Sequence, residues 1–132
     1  MAKDNYFYGL GRRKSATARV RLTSGKGVVT INDKPALEYF NGNQTFTYNL
    51  MEPLRLLQKT EDFDLSLKLD GGGHSAQVDA CKLAISKALS VMNEDLRSTL
   101  KKSGLLKRDP REKERKKPGL RSARRKEQFS KR

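Results

Sequence analysis

Five cations fall within ten residues, namely Arg12, Arg13, Lys14, Arg19 and Arg21, and no acid interrupts them. Like charges held so close repel one another in water, so the grouping asks for a polyanion such as a phosphate backbone. The competing reading is a solvated strand face, for which acidic neighbours would be expected. Tyr6, Phe7 and Tyr8 lie just upstream, where rings can stack on unpaired bases, but three adjacent aromatics in a short chain fit the core or its rim better. A denser supply of cations occupies the other end, where residues 101–132 hold 15 Lys and Arg against 4 Asp and Glu. That stretch contains Lys107, Arg108, Arg111, Arg115, Lys116, Lys117, Arg121, Arg124 and Arg125, and it closes on Ser130-Lys131-Arg132.

Two other groupings look catalytic and fail on inspection. Gly73-His74-Ser75-Ala76 follows a predicted strand and opens a predicted helix, as the nucleophile elbow of a hydrolase does. His74 is the only histidine of the chain. It adjoins the serine in sequence, so no separate imidazole base can arrive. Gly71-Gly72-Gly73 reads instead as a tight turn, with Ser75 capping the helix that follows. A phosphate would be favoured at such a helix start by the free N–H groups and the dipole. Ser24-Gly25-Lys26-Gly27 lacks the upstream glycine and the hydroxyl after lysine of a nucleotide-binding loop, and reads as a turn. One His and one Cys do not make a metal-ligand set. The expectation is therefore a binding module rather than an enzyme, with no metal, no cofactor and no small-molecule substrate.

The distribution of charge and apolar residues says what must position these groups. Of a net charge of +14 over 132 residues, residues 101–132 carry +11. They also hold only five apolar residues, Leu105, Leu106, Leu120, Ala123 and Phe129, against 41 in the first hundred. Five cannot build a core, so by itself this segment lacks the burial needed to offset conformational entropy. The expected organisation is one α+β body over 1–103 and an extended basic tail over 104–132. Prolines at 110 and 118 disfavour continuous helix there. The 24 residues from Asp109 to Arg132 reach up to about 80 Å at ~3.3 Å per residue, enough to thread into a folded nucleic acid. No apolar run exceeds three residues, whereas a membrane span needs about 20. Glu112, Glu114 and Glu127 interrupt the tail's charge, so no membrane partner is expected. The opening residues show no signal peptide or presequence, and unpaired Cys81 suits a core position in a reducing compartment, which together imply a cytoplasmic protein.

Within the body, Ala16, Ala18, Val20 and Leu22 alternate with Thr17, Arg19, Arg21 and Thr23, the pattern of a half-buried strand. The turn at 24–27 and the β-rich run Val28 to Ile31 predict a hairpin with it. Pro35 suits the first position of a short helix over 35–40, and Met51 to Thr60 shows helical spacing, with weak alternation at 45–50 between them. Phe63 to Asp70 alternates most clearly of all. Ser75 to Met92 carries Val78, Cys81, Ile85, Ala88, Leu89 and Met92 at helical spacing and should pack on the sheet. Asn93 and Gly104 bracket a further helix over roughly 94–103. Strands and helices do not alternate regularly, so the class is α+β rather than a doubly wound sheet. Charge alone leaves RNA and duplex DNA open as partners.

Longer stretches carry a resemblance. Gly11-Arg12-Arg13-Lys14-Ser15-Ala16-Thr17-Ala18-Arg19-Val20, the later Tyr39-Phe40, Gly104-Leu105-Leu106-Lys107-Arg108-Asp109-Pro110-Arg111, Glu114 to Leu120, and Gln128-Phe129-Ser130-Lys131-Arg132 follow one another in the order of a known family. The chain resembles the family of small-subunit ribosomal protein nine, bacterial type, over essentially its whole length. The resemblance implies a compact sheet with helices packed on one face and a left-handed crossover, as in the second domain of small-subunit ribosomal protein five. It implies binding to 16S-type rRNA in the head of the small subunit, beside neighbouring head proteins. It implies a tail threading through that RNA until Ser130, Lys131 and Arg132, placed by Phe129, reach the anticodon stem-loop of the peptidyl-site tRNA. Ala76 stands where the family usually has glycine, which bears on how closely a phosphate approaches Gly72 and Gly73. The stretch 84–88 is less basic than the family's, and Lys126-Glu127 replaces Ala-Pro, placing an acid near the expected tRNA contact.

Overall fold

The computed structural model describes residues 6–107, so the expectations for Arg108, Arg111, Arg115, Lys116, Lys117, Arg121, Arg124, Arg125, Ser130, Lys131 and Arg132 lie outside the described residues. The chain forms β1 (Phe7–Arg13), β2 (Ala16–Ser24), β3 (Val29–Ile31), β4 (Lys34–Pro35), α1 (Ala36–Tyr39), α2 (Gln44–Leu50), α3 (Glu52–Leu56), β5 (Phe63–Asp70), α4 (His74–Met92) and α5 (Asp95–Lys102). The five strands make one sheet in the order β1-β2-β5-β3-β4. It is the α+β class expected, with helices packed on the sheet.

Period two decides which side of the sheet is covered. Register places Val20 opposite Leu67, Leu22 opposite Leu65 and Ala18 opposite Leu69, so these apolar side chains share one face. Each is buried against α4, whose Ala80, Cys81, Ala84, Ile85, Ala88 and Leu89 are also buried. Removing each leucine from water contributes on the order of 2 kcal/mol. Strand β1 meets the same helix through Gly9 and Gly11, whose added Cβ atoms would overlap the carbonyl oxygens of Ala84 and Ala80. Backbone there lies directly on backbone. Phe40, which ends α1, Leu50 from α2, Leu54 from α3 and Leu100 from α5 complete the core.

The expected hairpin between β2 and the run at 28–31 does not form. Strand β2 is already paired antiparallel with β1 on one side and β5 on the other, and β3 pairs parallel with β5 instead. Asp64 carries the chain across: one carboxylate oxygen accepts the backbone N–H groups of Lys26 at 2.9 Å, Gly27 at 3.1 Å and Val28 at 2.9 Å. Those bonds, from Val28 and Lys26 first, hold the Asp64 carboxyl below its usual range. Asn32 completes the crossing, exchanging side-chain hydrogen bonds with the backbone of Leu69 at 3.0 and 3.2 Å.

Other differences are smaller. Residues 44–50 are helix, started by the Asn43 side chain, which accepts from the N–H groups of Thr45 and Phe46. The helix expected over 51–60 is the shorter α3, and Pro35 ends β4 and stands just before α1. Strands β2 and β5 and helix α4 lie within a residue or two of their expected spans. Helix α5 starts one residue later than expected, with Glu94 rather than Asn93 in the N-cap position, and the Asn93 side chain accepts from Asp95 N–H at 3.0 Å. Gly104 closes α5 by donating to Lys101 O at 3.1 Å.

Candidate nucleic-acid interface

The uncovered face of the sheet is set by the same alternation that buries the other. Tyr8 lies opposite Arg21 and Leu10 opposite Arg19 in the β1–β2 register; Arg19 lies opposite Lys68 and Arg21 opposite Ser66 in the β2–β5 register. Arg12, Arg19, Arg21 and Lys68 are all exposed, and among the described residues none of them has a carboxylate within ion-pair distance. The aromatic residues stand at the rim of the fold, with Tyr6 47%, Phe7 37% and Tyr8 48% exposed. The Tyr6 ring lies under the Arg21 guanidinium, 5.0 Å from centroid to carbon, an arrangement in which a cation is held without being neutralised.

Arg13 points the other way. Alternation turns it toward α4, where its side chain is mostly buried and its Nε sits 3.4 Å from Asp79 Oδ2. Asp79 also lies 3.9 Å from Lys82 Nζ, which in turn reaches Glu52 at 3.1 Å. The resulting chain of two cations and two anions ties β1, α4 and α3 together and leaves no net charge. The acid that appears missing from the sequence around Arg13 is thus supplied 66 positions later. Lys14 occupies the turn between β1 and β2, exposed, with a φ of 52°. That left-handed backbone costs a lysine about 1–2 kcal/mol.

Arg12 and Arg13 line a cavity of about 270 Å³ together with Lys82, Asp79 and Lys107. Residues at the two ends of the body are thereby brought side by side: the first cationic cluster adjoins the point from which the basic C-terminal segment departs.

The glycine turn forms a third feature. Gly71 and Gly72 adopt φ values of +71° and +65°, and a side chain on Gly71 would collide with the carbonyl oxygen of Ser15. Buried Gln77 fixes this turn by donating to Gly71 O at 3.0 Å while accepting from the Tyr39 hydroxyl at 2.9 Å. Gly73, not Ser75, precedes the first turn of α4, and no side chain caps the helix. Capping by Ser75 is therefore corrected, because that residue already lies inside the helix. A Cβ on Gly73 would meet nothing within 4 Å, so the backbone there is open to an approaching group. His74 packs its ring near Tyr39, Phe40 and Phe46, with centroids 5.5, 5.4 and 6.1 Å away. Cys81 is buried as expected, and burial pushes its thiol pKa up.

The sequence groups Arg12, Arg13, Lys14, Arg19 and Arg21 in one patch; in the structure Arg12, Lys14, Arg19 and Arg21 are exposed, Arg13 is turned inward to Asp79, and Lys68, which the sequence reading missed, joins the exposed set. Lys68 was within reach: strict alternation in β5 assigns it to the polar side, and pairing β5 with β2 sets it against Arg19. Exposed cations and rings on a sheet, next to an uncapped glycine turn, suit a polyanionic partner such as a nucleic-acid backbone. Residues 11–132 match the family model described as ribosomal protein S9/S16. The chain belongs to that family, a family of structural ribosomal proteins that bind rRNA, and its place is accordingly the ribosome. Among the described residues no helix is long and apolar enough to cross a membrane.

Proposed function

We propose that the chain is a structural constituent of the small subunit, bound to 16S-type rRNA in the subunit head among other head proteins. In this reading the body, 1–103, grips phosphates through Arg12, Lys14, Arg19 and Arg21, with Arg13 behind them, and through the backbone of the glycine turn, where Gly72 packs on Ala16 and Gly73 faces open space. Free N–H groups at the start of α4 suit an anion there. The tail, 104–132, neutralises packed phosphates with Lys107, Arg108, Arg111, Arg115, Lys116, Lys117, Arg121, Arg124 and Arg125. Ser130, Lys131 and Arg132 end it at the anticodon stem-loop of the peptidyl-site tRNA. The protein performs no chemistry of its own and works in the cytoplasm.

The observation that carries this reading is a family match that runs unbroken from the cationic strand to the last residue, 11–132. The direct test is sedimentation of the tagged protein through a high-salt sucrose gradient, with sequencing of the RNA in its peak. Stoichiometric migration with small subunits is expected; a spread over free nucleic acid would mark a general RNA or DNA binder and overturn the reading. For the tRNA contact, removal of Ser130 to Arg132 should impair initiation and decoding, and unchanged behaviour would remove that contact from the account.

A further inference from the structure

The centre of the open sheet face holds more than charge. Arg19 and Lys68 stand directly opposite each other on neighbouring strands, and Arg21 lies two positions along, between Tyr8 on one side and Ser66 on the other. Together these five side chains wall a depression of about 160 Å³. Like charges directly opposite destabilise a strand pair, so the Arg19–Lys68 pairing works against folding unless something else occupies it. The nearest acids in the same register are engaged elsewhere or displaced. Asp64 binds the N–H groups of 26–28, and Asp70 lies opposite Thr17, two positions along β5 from Lys68. Tyr8 is about half exposed beside the depression, and Arg21 is held by the Tyr6 ring.

We propose that this depression receives one unpaired nucleotide of RNA, its base stacked on the Tyr8 ring and its phosphate held between Arg19 and Lys68. The inference rests on the rRNA-binding reading and adds Tyr8, Ser66 and Lys68 to it. A ring standing on a sheet stacks only on a base whose face is free, which paired bases within a duplex do not offer. The depression therefore selects a loop, bulge or single strand. Ser66, with a hydroxyl that both donates and accepts, is placed to bond a sugar or base edge.

The test uses the full chain and two probes of equal phosphate number, an oligouridylate and a fully paired RNA duplex. Each variant is scored by the ratio of its affinities for the two, so that attraction by the basic tail cancels. Tyr8→Leu should weaken oligouridylate binding about tenfold and leave the duplex unchanged, and Tyr8→Phe should retain the wild-type ratio. Lys68→Ala should lower the salt slope for oligouridylate by about 0.7, the loss of one phosphate contact. Equal effects of Tyr8→Leu on both probes, or none on either, overturn the inference. So does tighter binding of polyglutamate than of oligouridylate with the same dependence on Tyr8 and Lys68, which would give the face to an acidic protein segment. Sedimentation separates the two levels: wild-type protein absent from small subunits defeats the ribosomal reading, whereas normal incorporation with an unaltered Tyr8→Leu ratio defeats only this site.

Discussion

The two faces of one sheet treat the same kind of residue in opposite ways. Toward α4, Arg13 is sunk against Asp79, and Lys82 bridges Asp79 and Glu52. On the open face, Arg19 is set against Lys68 with no carboxylate partner among the described residues. A cation that serves the fold has its counter-charge supplied by the chain. A cation that serves a partner is left for the partner to neutralise, and the fold tolerates the repulsion. The distinction separates residues that are adjacent in sequence, since Arg12 and Arg13 fall on opposite faces.

The most severe way to break the covered face needs no charge. Gly11→Val places side-chain atoms where the Ala80 carbonyl of α4 lies. The cost should be about 3 kcal/mol or more, the upper end of overpacking, because the Ala80 carbonyl and the Ala84 nitrogen that it would meet are backbone and cannot rotate away. Urea titration of the purified protein checks this, and a midpoint within error of wild type would refute the close packing of β1 on α4. Serine at Gly104, where an added Cβ meets nothing within 4 Å but φ is +76°, should cost far less.

Next in size is the contrast between neighbouring arginines. Arg13→Met should lower stability by about 1 kcal/mol, since the mostly buried guanidinium is lost but Asp79 stays partly solvated and retains Lys82. Arg19→Met should leave stability unchanged or raise it by a few tenths of a kcal/mol as its repulsion with Lys68 is relieved. For RNA affinity the order reverses, and Arg19→Met should reduce the salt slope while Arg13→Met does so weakly. Paired melts and filter-binding series on the two variants decide it; equal behaviour in both assays would erase the difference between the faces.

What the sequence showed and concealed follows the same physics. Strands β2 and β5 and helix α4 were legible because each buries one face with side chains of a single character. Strand β1 was not, because its core-facing positions are Gly9 and Gly11, and a strand that buries backbone leaves no hydrophobic mark. The false hairpin arose because β3 looks β-rich, yet nothing local reveals that β2 is already paired on both edges. At the candidate site the arginines were legible as types, but not their partners: Asp79 reaches Arg13, and Lys68 reaches Arg19, only through tertiary structure. The matched family extends over the basic tail, whose residues beyond Lys107 lie outside those described.

Lys14 offers a sharper and smaller test. Its left-handed backbone is one that Asn adopts more readily than Lys, so Lys14→Asn should raise stability by up to about 1 kcal/mol. The melting midpoint should rise by a few degrees while the RNA salt slope falls by about one contact. A gain in stability with undiminished RNA binding would show that the strained turn is not kept for a phosphate.

The smallest effect concerns Asp64, the carboxylate that register places on the open face yet whose charge is taken up by the 26–28 loop. Its folded pKa is depressed below 3.8 by backbone N–H donors, so its contribution is fully present above the unfolded value and is lost as pH falls through the folded one. Asp64→Asn keeps one acceptor oxygen but not the charge. The variant should be slightly less stable than wild type at neutral pH, and the gap should close as pH drops through and below 3.8. Denaturation midpoints of both proteins across that range measure it. If Asp64 were instead balancing Arg21 across the open face, its replacement would free a cation and raise RNA affinity beyond the modest change expected from one fewer negative charge. Affinity that changes only slightly, with the pH-dependent stability gap present, leaves the cations of the open face without an internal counter-charge, which is the condition under which RNA phosphates must supply it.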